Sequence, residues 1–225
     1  MPFIDFAKRI TPVKIKNILK RLRSETSNEE LLPYLHYIDS LNLGPGDVAI
    51  DLGANVGIIT AILSSKGATV FAFEPNPYAF QMLKQRFTNN NKVHCIQKGV
   101  LDHRDVLPLY LHENSEDNPV LWSVGSSLLN FKGNIKKDQF IEVDVIDLVE
   151  FIEGLRTEVK LIKMDVEGVE CPILKKLINS PIFNKVENII VETHDRKIPE
   201  LKPETDDLRR MIAEKEIKKI RLDWI

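Results

Sequence analysis

The chain has 225 residues, of which 43% are hydrophobic and 28% charged, with a formal net charge of −2. This is an ordinary soluble globular balance, long enough for one domain with a sizeable core. The near-neutral charge excludes a global field that would draw the whole chain onto nucleic acid. In chain order, residues 1–43 are predicted to be a helical cap belonging to the same domain. "KIKNILKRLR" puts Ile15, Ile18, Leu19 and Leu22 on one face, with Lys14, Lys16, Lys20, Arg21 and Arg23 mostly elsewhere. Ser27 and Glu30 make a capping box ahead of "LLPYLHYIDSL", which Pro33 breaks or kinks. Gly44 to Asp47 is a turn.

Beyond the turn, strands and helices alternate. "VAIDLG" is a buried strand and "NVGIITAILSSKG" a helix ending at Gly67. "TVFAFEP" is the second strand, followed by a helix with Asn76 as cap and Pro77 at its first position. "KVHCIQKGV" is the third strand. The middle, Asp102 to Asp144, is more β-like, with "VLPLYLHE", a polar loop, then "FIEVDVIDLVEFI". "VKLIKMDVEG" is a buried strand, "VECPILKKLINS" a helix, "ENIIVETH" a strand, "KPETDDLRRMIAEK" a helix and "IKKIRLDWI" a last strand. Strands separated by helices imply parallel crossovers. The expected fold is therefore α/β: a doubly wound, mostly parallel Rossmann-like sheet over residues 44–225 with helices on both faces. Its ligand crevice should lie where the strands end, near the switch in strand order.

No apolar run is long enough to span a bilayer, and "MPFIDFAKRI" lacks the apolar core of a signal peptide. Cys95 and Cys171 sit in apolar surroundings and are expected to be buried free thiols in a reducing compartment. A cytoplasmic location is expected.

The strand ends carry the chemistry. In "DLGANVG", Gly53 and Gly57 allow a tight backbone, and the helix beginning near Asn55 offers free N–H groups. The loop reads D-x-G-x-x-x-G rather than the dinucleotide G-x-G-x-x-G. Asp51 would repel a pyrophosphate but suit a ligand carrying an ammonium and a sulfonium, which describes S-adenosylmethionine (SAM). Glu74 ends the second strand about 20 residues on, where a ribose-binding acid belongs. Asp51 speaks against a nicotinamide oxidoreductase.

"DLGANVG", "FAFEPNP", "IKMDVEGVE" and "VETH", in that order, resemble the FkbM-type SAM-dependent methyltransferases over about Asp47 to His194. The resemblance implies O-methylation of a hydroxyl on a sugar, glycan or other small metabolite. It implies that Asp51, Gly53, Ala54, Asn55 and Gly57 hold the methionyl part of SAM, with Glu74, Pro75 and Asn76 at the ribose. Gly99, Val100 and Asp102 should flank adenine, and Gly125 to Leu128 should lie near cofactor or acceptor. Asp165 is expected beside the methyl group.

A sugar hydroxyl is a weak nucleophile, so a base helps. The candidates are Asp165, Glu167 and His194, with His112 behind them. Asp165 and Glu167 share one side if the strand runs that far. Asp165, Glu192, His194 and Asp195 could converge on Mg²⁺, but "ETHD" is not a diagnostic spacing. No metal is expected, and Asp165, Glu192 and His194 form the weak candidate set. Trp122 in the variable middle could stack on a sugar face or simply pack.

Two other function classes remain open. One is an RNA methyltransferase that uses the basic N-terminal helix on phosphates, although a solvated helix face explains that charge more simply. The other is a non-enzymatic SAM- or nucleotide-binding module. The fourth strand ends in "MDVEG", which speaks against a flipped-base amine pocket but leaves RNA ribose or ring-nitrogen methylation open; RNA is disfavoured as a partner and DNA is not expected. In class I methyltransferases the sheet usually finishes in two strands forming an antiparallel hairpin, and only one of them is visible here. That edge could stay open, be covered by the N-terminal helices, or pair with a second subunit as a homodimer.

Overall fold

The computed structural model describes residues 36–123 and 125–224. Within the unit from Asn42 onward, the described residues build two sheets. The predicted helix over residues 14–23, the Ser27–Glu30 box and the Pro33 break lie outside the described residues.

Strands β1 (Val48–Leu52), β2 (Thr69–Phe73) and β3 (Val93–Ile96) alternate with helices α1 (Ile58–Ser65) and α2 (Pro77–Arg86). Two strands of a second sheet follow, β4 (Gly99–Leu101) and β5 (Asp105–His112), and then its long third, β6 (Ile135–Asp147). Helix α3 (Leu148–Leu155) leads to β7 (Leu161–Met164), α4 (Glu170–Ile178), β8 (Ile189–Glu192), α5 (Lys202–Glu214) and β9 (Ile220–Trp224).

The main sheet runs β3-β2-β1-β7-β8-β9, and every pairing in it is parallel. The smaller sheet runs β4-β6-β5, with β5 and β6 antiparallel. The mostly parallel α/β fold expected from the sequence is thus present. Parallel crossovers are right-handed. The order grows one way from β1 to β3 and the other way from β7 to β9, so α1 and α2 cover one face and α4 and α5 the other. The direction reverses between β1 and β7, which makes their carboxyl ends the switch point. Strands β1, β7 and β8 are buried at every position, as strands covered on both faces must be.

Three local expectations are corrected. "KVHCIQKGV" is not one strand. The backbone turns at Gln97 and Lys98, closed by Lys98 N donating to Ile96 O at 3.0 Å, and β4 crosses to the second sheet against β6. "FIEVDVIDLVEFI" is a strand only to Asp147. There the Asp147 side chain accepts from Val149 N at 2.8 Å and Glu150 N at 3.3 Å and starts a helix. The strand in "VKLIKMDVEG" stops at Met164, and Glu167 takes a left-handed backbone at φ 57°. β9 lies directly beside β8 and parallel to it. Both cysteines are free thiols, and burial pushes the Cys171 thiol up to about 11.

Candidate active site

Residues 51–57 form a tight turn at the end of β1. Gly53, Asn55 and Gly57 all have positive φ, at 72°, 50° and 82°, which delays α1 to Ile58. A Cβ on Gly53 would fall 1.8 Å from the Asp165 carbonyl oxygen. Gly53 therefore lets the loops after β1 and β7 touch, a demand of the fold before any ligand. The N-terminus of α1 has no side-chain cap, so its first N–H groups remain available to an anionic group.

Glu74 ends β2 and is 6% exposed. Its Oε2 accepts from Asn55 N and its Oε1 from Asn76 N, each at 2.8 Å. This one carboxylate ties the Asp51–Gly57 turn to the start of α2. Burial raises its pKa to about 7, against the two backbone bonds that favour the ionised form. Asn76 caps α2 through its side-chain oxygen, and its Nδ2 donates to Ser126 Oγ at 3.2 Å. Asn55 Nδ2 donates to Ser123 Oγ at the same distance. Ala54, fully within the turn, and Pro75, between Glu74 and Asn76, stand where the sequence puts them.

Asp51 is fully buried. Thr60 Oγ1 donates to its Oδ2 at 2.6 Å, and Lys163 Nζ stands 3.4 Å from its Oδ1. Lys163 faces Asp51 across the β1–β7 ladder and also donates to Gly53 O at 2.9 Å. Burial alone would push its ammonium down. Asp51, Asp165 and Glu192 outweigh that, and the net direction is up. The negative charge that the sequence aims at a ligand thus has a cation inside the protein. Lys163 belongs to this candidate site and was missed at the sequence level, although a lysine in the aliphatic run "VKLIKM" was a visible anomaly.

At the ends of β7 and β8, one imidazole gathers the acids. His194 is 1% exposed. Its Nδ1 bonds Glu170 Oε1 at 2.8 Å. Its Nε2 stands 3.4 Å from Glu167 Oε2, 3.6 Å from Asp165 Oδ1 and 3.8 Å from Glu192 Oε1. Burial would lower the His194 pKa, but the Glu170 hydrogen bond and the surrounding carboxylates raise it to about 9. Asp165 is 28% exposed at its side chain. Desolvation raises it to about 6, opposed first by Lys163. Glu167 goes the other way: Lys132 and His194 overcome its desolvation and hold it below the usual range. Lys132 pairs with Glu167 Oε2 and donates to Gly125 O at 2.9 Å, while Gly125 N donates to Glu167 Oε1 at 3.0 Å.

Asp165, Glu167 and His194 are therefore brought together, although by a turn rather than by strand alternation. The loop through Gly125, Ser126 and Ser127 bridges this cluster to Asn76, with Ser127 Oγ donating to Glu167 O at 2.7 Å. Other residues have partners outside this cluster. Gly99 and Val100 lie in β4 against β6, and Asp102 bonds His103 at 2.7 Å and receives Lys176 on its carbonyl. Glu192 is held by Lys197 at 2.7 Å, and Asp195 is gripped by both Arg209 nitrogens. The His112 ring stacks on Trp122 at 4.6 Å, which covers one face of that indole.

The glycine turn after β1, the buried acid ending β2 and the acidic turn after β7 occur on a sequence that matches a family model described as the methyltransferase FkbM domain, over residues 51–218. The chain belongs to the FkbM methyltransferase-domain family. It is 27% identical over 184 residues to methyltransferase sdnD of Sordaria araneosa, a match covering 70% of each chain. It is 30% identical over 149 residues to hexuronic acid methyltransferase AglP of Haloferax volcanii, covering 66% of this chain and 56% of that one. It is 26% identical over 162 residues to methyltransferase 1 of Beauveria bassiana, covering 66% of this chain and 65% of that one. The chain thus spans between 56% and 70% of the length of these curated relatives. No helix among the described residues is long and apolar enough to cross a membrane.

Proposed function

We propose that this FkbM-family protein uses SAM to methylate a hydroxyl oxygen of a small hydroxylated molecule or glycan. The observation that carries the reading is the Glu74 carboxylate, fixed at the end of β2 by two backbone N–H groups beside the turn of β1. A carboxylate at that strand end suits acceptance from both hydroxyls of a ribose. The uncapped start of α1 suits a carboxylate such as that of the methionyl group. With Asp51 already paired to Lys163, the ammonium of that group would be met by backbone carbonyls of the turn as much as by Asp51.

The cofactor supplies an electrophilic methyl group on a sulfonium. The protein's part is to align the acceptor oxygen with it and to receive the hydroxyl proton as the oxygen–carbon bond forms. Asp165, with a pKa of about 6, is ionised at neutral pH yet basic enough for that proton. Glu167 is locked by Lys132 and Gly125 and acts as a positioning residue. His194, held protonated by Glu170 at neutral pH, offsets the carboxylate charge around the reacting oxygen rather than acting as the base. A sugar-class acceptor is supported by the relative whose name is hexuronic acid methyltransferase.

The test is to incubate the protein with SAM carrying a carbon-13 methyl group and a panel of hydroxylated sugars, glycosides and amines. An oxygen-bound methyl resonance with matching release of S-adenosylhomocysteine supports the reading. A nitrogen-bound methyl product would replace it.

A further inference from the structure

The cluster at the ends of β7 and β8 has a feature that methyl transfer alone does not use. His194 is 1% exposed, and its Nε2 makes no hydrogen bond. That nitrogen is aimed between Asp165 Oδ1, which is also buried without a hydrogen bond, and Glu167 Oε2. One donor atom from each of these three residues lies within 4.8 Å of the others. Ligand atoms about 2.0–2.2 Å from a shared ion stand roughly 3–3.5 Å apart. The 3.4 Å separation at Nε2 lies within that spacing, the 3.6 Å one lies about 0.1 Å beyond it, and both exceed a hydrogen bond.

On the far side of the ring, Nδ1 is bonded to Glu170 at 2.8 Å, and Gly168 N holds the same Glu170 oxygen at 2.9 Å. A buried carboxylate on one imidazole nitrogen, with the other nitrogen turned to a group of oxygens, is the arrangement that orients a metal-ligating histidine.

Charge points the same way. One connected network holds five carboxylates, Asp51, Asp165, Glu167, Glu170 and Glu192, against three ammonium groups, Lys132, Lys163 and Lys197. A cation on His194 Nε2 takes the place of the proton there; with the imidazole then neutral, the excess is two negative charges, which one divalent cation cancels. We propose that Asp165, Glu167 and His194 form a binding site for a divalent first-row transition cation of the Mn²⁺, Fe²⁺, Co²⁺ or Zn²⁺ class, oriented by Glu170. The imidazole nitrogen selects this class over Mg²⁺ and Ca²⁺, which favour oxygen-only shells. Glu192, tied to Lys197 and 3.8 Å from Nε2, stands just outside the ligand set, while Glu167 Oε2 is shared with Lys132, which would have to yield it to the ion. Only the role of the ion, not the site, rests on the hydroxyl-methylation reading. There the ion, held through Asp165 Oδ1, would take the acceptor oxygen as a further ligand and acidify its proton, which Asp165 Oδ2 would receive as the methyl group leaves the sulfonium.

The test is titration of the metal-stripped full chain with Co²⁺ alone, followed by visible absorption and calorimetry, with S-adenosylhomocysteine affinity measured in parallel. The expected result is one saturable site with ligand-field bands. His194→Gln should abolish the bands, and Glu170→Gln should weaken binding about 10- to 100-fold as a lost orienting contact does. Thermal unfolding of each variant separates lost binding from lost fold. No saturable Co²⁺ or Mn²⁺ binding, or bands unchanged in folded His194→Gln, would overturn the site. Loss of metal binding with intact S-adenosylhomocysteine binding would leave the methyl-transfer reading standing. Metal binding without methyl transfer would do the reverse.

Discussion

Replacing Glu74 by Gln tests the cofactor placement with little change in shape. In the native protein both carboxylate oxygens accept a backbone N–H, from Asn55 and Asn76. A glutamine has one acceptor oxygen, so its NH₂ must face one of those donors. Leaving one buried N–H unpaired costs about 1–3 kcal/mol of stability. Separately, the ribose hydroxyls lose charge-assisted bonds, which weakens cofactor binding by about 1–3 kcal/mol, or roughly 5- to 150-fold in Kd. The pH dependence distinguishes the two effects. Burial places the free carboxyl at about 7, and ribose hydroxyls stabilise only its ionised form. Affinity for S-adenosylhomocysteine in the native protein should therefore rise as pH increases from about 6 to 8 and then level off. The variant, with nothing to titrate at that position, should show a flat profile over the same range. Calorimetry on both proteins across that range reads both quantities. Equal affinities, or the same slope in the variant, would refute the placement of Glu74 at the ribose.

Three further outcomes follow from the geometry. Lys163→Met should lower stability by about 3–5 kcal/mol, because Asp51 is left buried and charged with only Thr60 beside it. Urea unfolding measures this, and adding Asp51→Asn should recover much of the loss. Asp147→Ala should cost about 1–2 kcal/mol, since it removes the cap of α3 and the partner of Lys176. A change under a few tenths would mean that α3 does not depend on its cap. Asp165→Asn should leave the circular dichroism spectrum unchanged and lower turnover, and normal turnover would remove Asp165 from the chemistry.

The strand ends of the main sheet were legible because buried parallel strands leave continuous aliphatic runs, and because glycine and acid follow them at fixed offsets. The second sheet was harder. "LVEFIEGL" fits an alternating strand and an amphipathic helix equally well. Only Asp147 with Glu150 three residues on marked the helix start. In "KVHCIQKGV" the turn at Gln97 and Lys98 carries neither glycine nor proline, and Gly99 just past it was the one local sign of the change of sheet.

The site divides in the same way. Asp51, Glu74, Asp165, Glu167 and His194 stand at strand ends and could be named from the sequence. Their partners could not. Lys163 meets Asp51 through the register of two strands more than a hundred residues apart. Lys132 reaches Glu167 from a loop with no periodicity. Glu167 turns inward through a left-handed backbone that glutamate rarely adopts and never signals. Glu170 could have been noticed as an acid opening an otherwise apolar helix turn, yet its bond to His194 depends on where β8 ends.

The central claim is that the crevice at the switch point binds SAM rather than a dinucleotide. Isothermal titration of the purified protein with S-adenosylhomocysteine, with NAD⁺ as control, tests it most directly. Saturable binding of S-adenosylhomocysteine and none of NAD⁺ is the predicted result. Binding of NAD⁺ alone, or of neither, would contradict it.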